Sequence, residues 1–242
     1  MKEKIKFEIQ DTKRLLRAVP ASVVMLFCLS VVLMNLLANK EIYTGVSWFA
    51  LDCGIMLSWL SFLCMDVLTK RFGPKAAVKI SLIAVGVNLF VCAILKVVAL
   101  IPGNWGEFYT FETSIVNNAL DNTIGGTWYV LFGSTVGMIA ASVVNALVNH
   151  TVGKRMKSDD FRSFAIRSYV STVAAQFVDN MVFTLIVSYH FFEWSFIQCL
   201  TCSLAGCIAE LMCEAVFSPI GYTISQNWEE ENVGAEYLGG KV

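Results

Sequence analysis

The sequence predicts an all-α integral membrane protein, a bundle of six transmembrane helices with both termini in the cytoplasm. The first observation is composition: 56% of the 242 residues are hydrophobic and 15% are charged, whereas soluble domains have about 45–50% and about 25%. The others are the length of the apolar runs and the clustering of the basic residues. With a net charge of −1, the chain has no overall positive charge to attract a nucleic acid, so we expect no nucleic-acid partner.

Six apolar runs lie between clusters of charge, and each is long enough to cross a bilayer, which takes about 20 residues. They are continuous and do not alternate as barrel strands do. The first run starts too late for a cleaved signal peptide. We expect one domain over residues 1–242, with a basic N-terminus (1–18), a long connection (102–126) and a tail (225–242). The runs are Val19–Ala38, Val46–Leu68, Ala76–Ile101, Thr127–His150, Ile166–Phe191 and Trp194–Ile224.

The basic residues give the orientation. Fifteen of the 18 lysines and arginines lie before the first run, around the second-to-third connection or around the fourth-to-fifth connection. Because positive residues favour the cytoplasmic side, these clusters and both termini are predicted to be cytoplasmic. The C-terminal tail (225–242) is then cytoplasmic as well. The connection 102–126 has no basic residue and is then external. Its aromatic residues indicate an interfacial segment, with a lid as the alternative; they are Trp105, Phe108, Tyr109 and Phe111.

Polar side chains inside the fifth run point to a binding site. Ionisable groups in a span are costly and usually face a cavity or the bundle interior. Gln176, Asp179 and Asn180 lie near the middle of this run, with Phe183 on the same broad face as Gln176 and Asp179. We predict that they contact a ligand. The alternative is a network of interhelical hydrogen bonds that stabilises the bundle.

The sixth run contributes two acids, Glu210 and Glu214, four residues apart and so on one helix face. Two ionised carboxylates this close repel each other, so one is expected to hold a proton or a cation. A structural pair with Lys96 or Arg167 is the alternative. Pro219 is expected to break or kink the helix just beyond them.

Other polar and aromatic side chains complete the candidates. An amide can bind the polar edge of a ligand, and an indole ring can stack on its face. Asp52 is open between structural and ligand roles. The C-x-x-C of Cys199 and Cys202 has no histidine pair, so we expect packing and no metal or cofactor. The further substrate candidates are Asn35, Asn145, Trp48 and Trp59; Asp66, Lys70, Arg71 and Arg167 are assigned to gating or structural ion pairs.

Two stretches resemble the queuosine precursor transporter family, also called the vitamin uptake transporter family. One runs from Asp66 to Gly73, an acid followed by basic residues and Phe-Gly. The other is the fifth-run pattern of an arginine, a spaced serine and Gln-x-x-Asp. The resemblance extends in order and spacing over nearly the whole chain, through Asn35, the turn after Ile101 and Glu214. The fifth-run pattern maps onto Arg167, Ser171, Gln176 and Asp179.

The resemblance implies inward transport of a 7-deazaguanine base, queuine or a related nucleoside. It also implies a multi-pass protein of the bacterial inner membrane, for which a homodimer is plausible. The sequence departs from the family pattern at Ala209-Glu210, where a lysine is common. It departs again at Asn149 and His150, where an acid is missing. An acid at position 210 would favour a cationic substituent on the base.

Two other classes of protein fit the sequence less well. The substrate-binding subunit of an energy-coupling-factor importer also has six spans, but often carries Ala-x-x-x-Ala in its first helix, which is missing here. An intramembrane enzyme is disfavoured, because the chain has no H-E-x-x-H, G-x-S-x-G or Ser/Lys pattern. We therefore expect a self-contained transporter and no catalytic residues.

Overall fold

The computed structural model describes residues 2–106, 114–155 and 161–239. Helices dominate it, and a two-stranded antiparallel hairpin is inserted between the second and third of them. In chain order the elements are α1 (Lys2–Ala18), α2 (Ala21–Leu37), β1 (Glu41–Ile42), β2 (Leu51–Asp52), α3 (Ile55–Phe72), α4 (Pro74–Val98), α5 (Ser114–Arg155), α6 (Phe161–Ile186), α7 (Ser188–Phe191), α8 (Phe196–Glu230) and α9 (Ala235–Gly239).

Within the described ranges, four helical segments are long and apolar enough to cross a membrane. A fifth is obtained if α1 and α2, which meet at an angle of 107°, are taken as one broken span. Helical segments of this length and hydropathy are typical of multi-pass membrane proteins. The all-α membrane class is therefore confirmed. The four segments are Pro74–Val98, Ile115–Asn145, Val170–Phe191 and Phe196–Phe217.

The second apolar run is not helical over its whole length. The predicted start at Val46 is wrong, because α3 begins only at Ile55. The preceding residues form the hairpin, in which Glu41 pairs with Asp52 and Ile42 with Leu51. The hydroxyl of Thr44 donates to the carbonyl of Phe49 at 2.6 Å and fixes the loop between the strands. Apolar content alone therefore overestimated the length of this helix.

The third-to-fourth connection is shorter than predicted. The prediction of a loop over 102–126 is wrong for its second half, because helix α5 already begins at Ser114. Two side chains in the first turns of α5 hold the incoming chain, since Asn117 Oδ1 accepts the backbone N–H of Trp105 at 2.6 Å. Asp121 Oδ1 accepts the indole N–H of the same residue at 2.9 Å. Phe108, Tyr109 and Phe111 lie outside the described residues.

Pro219 does not break its helix. Helix α8 is continuous from Phe196 to Glu230 with the proline inside it. A proline removes one backbone donor, the one that would bond the carbonyl four residues earlier. The other hydrogen bonds of this 35-residue helix are enough to keep it continuous.

The chain divides into two compact units, of which the first contains Met1–Met34, Met56–Phe90 and Cys213–Val242. Its core includes the buried side chains of Leu15, Leu68, Ile80 and Trp228. Polar contacts hold α1 onto this core: the Lys79 ammonium lies 2.6 Å from Glu8 and 2.5 Å from Asp11. The Tyr237 hydroxyl donates to Asp11 at 3.1 Å.

The second unit contains Asn35–Ile55 and Val91–Met212. Helix α5 packs along α6 within it. Two apolar clusters stabilise the unit, one near the hairpin and one between α5 and the end of α6. They consist of Ala50, Trp194, Cys199 and Cys202, and of Ala38, Val130 and Val187.

The turn between α8 and α9 gives a testable prediction about stability. Gly234 has φ +72°, and a Cβ there would overlap the ring of Phe72. Gly45 has φ +76° but open space around it. We expect Gly45→Ala to cost about 1–2 kcal/mol of strain and Gly234→Ala at least about 1 kcal/mol more from overpacking. Denaturant unfolding in detergent measures both, and equal costs would contradict the close contact with Phe72.

Candidate functional site

Helix α6 presents three polar side chains in the second unit, and one of them reaches a neighbouring helix. Asn180 Nδ2 donates to Glu210 Oε2 of α8 at 3.3 Å. Asp179 precedes Asn180, and Gln176 lies about one turn earlier on the same helix. Asp179 and Glu210 lie close enough for their negative charges to repel each other. The structure thus brings together four of the residues that the sequence assigns to substrate binding.

Two glycines make room for these side chains. A Cβ on Gly137 of α5 would lie 2.5 Å from Asp179 Oδ1 and 3.0 Å from its carbonyl oxygen. A Cβ on Gly206 of α8 would lie 3.0 Å from Asn180 Nδ2. The geometry shows a packing role, because each glycine lets a polar side chain of α6 fit against the adjacent helix.

Acceptor oxygens exceed donors in this cluster. Among the residues that the structure describes, ion pairs within 4.0 Å form only at Lys79, so Asp179 and Glu210 have no basic partner there. The side-chain oxygen of Gln176 is buried and accepts no hydrogen bond from this part of the chain. A ligand that supplies several N–H donors, or a positive charge, would satisfy these oxygens.

A second polar contact joins α6 to α8. The hydroxyls of Thr184 and Ser203 lie 3.1 Å apart in a buried position, and Ser203 also donates to the carbonyl of Cys199 at 2.7 Å. This contact was missed in the sequence. Its only signal was the presence of several hydroxyl residues in each of the two apolar runs, and such residues often bond their own helix backbone.

The other predicted site residues of the second unit are placed differently. Phe183 packs against the apolar cluster of Ala38, Val130 and Val187. Asn35 is buried at 6% exposure, whereas Trp48 is 58% exposed and its carbonyl accepts a hydrogen bond from Thr201. Asn145 is exposed on α5. None of the hydrogen bonds described for these four residues joins them to Asp179 or Glu210.

Trp59 and Glu214 belong to the first unit. The Trp59 ring stacks on Phe217, with centroids 4.7 Å apart and planes 23° apart. Such stacking stabilises the contact between α3 and α8. The side chains of Glu214 and Arg167 lie outside the described part of the structure, so the predicted Glu210–Glu214 pair and any ion pair of Arg167 stay predictions.

The basic residues at the end of α3 make other contacts than a local ion pair. Lys70 Nζ lies 5.4 Å from the ring centroid of Tyr222, a cation–π geometry. Arg71 Nε donates to the carbonyl of Val233 at 3.0 Å. The ion pairs within 4.0 Å that the described residues form do not include Asp66 with Lys70.

The side chain of Asp52 forms a hydrogen bond with the backbone close to it in sequence. Its Oδ1 accepts the N–H of Gly54 at 2.8 Å, just before α3 begins. Burial raises the pKa of this carboxyl to about 6, and the hydrogen bond opposes part of that increase. This local bond favours the structural role of Asp52. Across the described ranges, no group of three or more histidine, cysteine, aspartate or glutamate side chains has the geometry of a metal site.

The polar cluster lies within a stretch that comparison with known families identifies. A family model described as "Putative vitamin uptake transporter" matches residues 52–224, which include the cluster and the acid–base stretch of α3. The curated proteins and the solved structures gave no match. Because the matched residues make up well over half of the chain, the protein belongs to the vitamin uptake transporter family.

Proposed function

We propose that the protein imports a queuosine precursor or salvage compound, either a 7-deazaguanine base, queuine or a related nucleoside. Membership of a transporter family supports transport of a small molecule. The observation that carries the choice of substrate is the surplus of acceptor oxygens in the cluster: the Gln176 oxygen is buried and unpaired, and Asp179 and Glu210 have no basic partner among the described residues. The sequence resemblance to queuosine precursor transporters points to the same class.

The chemistry of the base matches this surplus. The guanine-like edge carries a ring N–H and an amino group side by side, and one carboxylate can accept from both. Asp179 is proposed for this role, with the amides of Gln176 and Asn180 on the carbonyl edge. Glu210 would then face an aminomethyl substituent, which is cationic. Trp48, Trp59 and Phe183 remain the proposed stacking residues, and Glu214, Asn35 and Asn145 the further polar contacts.

The topology proposed from the sequence has six crossings. Besides the four apolar segments, α2 and α3 would each cross once, with both termini in the cytoplasm of a bacterium and the protein in its inner membrane. Helix α3 has 18 residues and spans about 27 Å at about 1.5 Å per residue, close to the ~30 Å hydrocarbon layer. We propose one transporter domain, with a homodimer as an option. Reporter fusions at each terminus would test the orientation.

The second candidate function is a substrate-binding subunit of an energy-coupling-factor vitamin importer. The description of the family as a vitamin uptake transporter keeps this candidate open. Uptake into vesicles that contain the purified protein alone would support the self-contained transporter. Uptake that appears only when an ATPase partner is added would support the subunit.

The carboxylate of Asp179 should dominate ligand affinity. Asp179→Asn replaces an acceptor of two N–H groups by an amide of similar shape, so we expect affinity for a 7-deazaguanine to fall by about tenfold to a hundredfold. Glu41→Gln, at an exposed carboxylate on β1, is the control and should bind as the wild type does. Isothermal titration with purified protein measures both. Equal affinities in the two variants would rule out the proposed role of Asp179.

Position 210 should set the preference between neutral and cationic bases. Glu210→Lys replaces the acid by the lysine that is common in the family pattern, and it should shift uptake from the aminomethyl base towards the cyano base. Glu210→Gln, which keeps an acceptor for Asn180 Nδ2, should shift the preference less. Competition between the two bases in vesicle uptake gives the ratio. An unchanged ratio in Glu210→Lys would contradict the assignment.

The glycine beside Asp179 offers a test of the close helix packing. Gly137→Ala would place a methyl group against the Asp179 carboxylate, and we expect a loss of about 1–3 kcal/mol in stability together with weaker binding. Gly126→Ala lies on the same helix with no atom within 4 Å. This control should be neutral or slightly stabilising, because alanine favours helix. Thermal unfolding without ligand compares them, and identical midpoints would refute the packing role.

A further inference from the structure

Helix α1, helix α9 and the turn before α9 line an open cavity of about 550 Å³ in the first unit. It is distinct from the polar cluster of α6 and α8, and none of the functions proposed above uses it. Arg14 and Arg17 contribute its positive charges and Glu236 its negative charge. Its other lining residues are Ala18, Asn232, Gly234, Ala235 and Tyr237.

The two arginines are not neutralised by the acids of their own helix. Glu8 and Asp11 are both engaged by Lys79 of α4, and Asp11 also accepts from Tyr237. Over the described ranges, no carboxylate lies within 4.0 Å of either guanidinium. The spacing of three residues places both guanidiniums on one side of α1. Two unpaired guanidiniums at one cavity form a binding site for an oxyanion such as phosphate.

The position of α1 indicates that the anion belongs to a membrane lipid. Arg17 lies four residues before the first residue of α2, whose side chains Met25 and Leu29 are apolar and exposed. The 107° bend turns α1 away from the axis of α2, so that α1 lies near the membrane plane when α2 crosses. Leu16, between the two arginines, is apolar and 41% exposed. If α2 crosses the membrane as proposed above, this orientation places the cavity at the depth of the lipid headgroups.

We propose that this cavity binds the phosphate headgroup of an anionic phospholipid, which thereby fixes α1 to the membrane surface. Arg14 and Arg17 would hold the phosphate through paired N–H donors. Basic pockets at the ends of membrane helices recognise anionic lipids in this way. Glu236, the acid at the cavity, would disfavour a second negative charge beside the first.

The test is binding of phosphatidylglycerol to the full chain in detergent, measured by native mass spectrometry against phosphatidylcholine. The wild type should prefer phosphatidylglycerol. The double variant Arg14→Gln/Arg17→Gln should weaken it at least about tenfold, on the scale of two interfacial charges. The matched control, Lys6→Gln/Lys13→Gln, removes two exposed charges from the same helix outside the cavity and should leave the affinity unchanged.

Two further measurements distinguish the proposed lipid site from a folding defect and from a site for free phosphate. Glu236→Gln removes the negative charge at the cavity and should strengthen binding, a gain that misfolding would not produce. Inorganic phosphate in place of lipid should not displace phosphatidylglycerol. The proposal is overturned if both double variants weaken binding equally, if Glu236→Gln gives no gain, or if inorganic phosphate displaces the lipid as well as unlabelled phosphatidylglycerol does.

Discussion

The candidate site depends on the close approach of α6 to a glycine on each of two neighbouring helices. At Gly137 a Cβ would overlap the Asp179 carboxylate, and at Gly206 a Cβ would be in tight contact with the Asn180 amide, 3.0 Å away. In a lipid environment helices gain little from burying apolar surface against each other, so close packing and interhelical hydrogen bonds must hold them. The glycines therefore fix where the polar atoms of α6 lie relative to α5 and α8.

The two polar contacts between α6 and α8 differ in how completely they are satisfied. Thr184 and Ser203 bond each other, and Ser203 also reaches the carbonyl of Cys199, so this contact is complete without a ligand. In the contact of Asn180 with Glu210, one donor reaches one carboxylate oxygen, and the buried side-chain oxygen of Gln176 on the same helix as Asn180 accepts no hydrogen bond within the described residues. Leaving the buried oxygen of Gln176 unpaired costs free energy in a contact that has only a structural role.

Much of the fold was predictable because apolar length and charge distribution are properties of the sequence. Helix α4 lies within a few residues of its predicted run, and α6 carries Asp179 in mid-span as expected. The hairpin at Glu41–Asp52 was not predictable, since apolar residues such as Leu51 suit strand and span equally. The start of α5 depends on contacts of Trp105 with Asn117 and Asp121, which are 12 and 16 residues away. The roles of Gly137 and Gly206 required the positions of neighbouring helices.

The basic residues of the first unit show how the same charge type serves different purposes according to its partner. Lys79 is matched by two acids, Lys70 by an aromatic ring and Arg71 by a backbone carbonyl. These three contacts stabilise the fold because each charge finds its partner within the chain. Arg14 and Arg17 line one cavity, and within the described part of the chain no carboxylate lies within 4.0 Å of either guanidinium, so their donors are available to a molecule outside the chain. A count of basic residues gives orientation alone, whereas the partner of each residue separates structural charges from those that can bind.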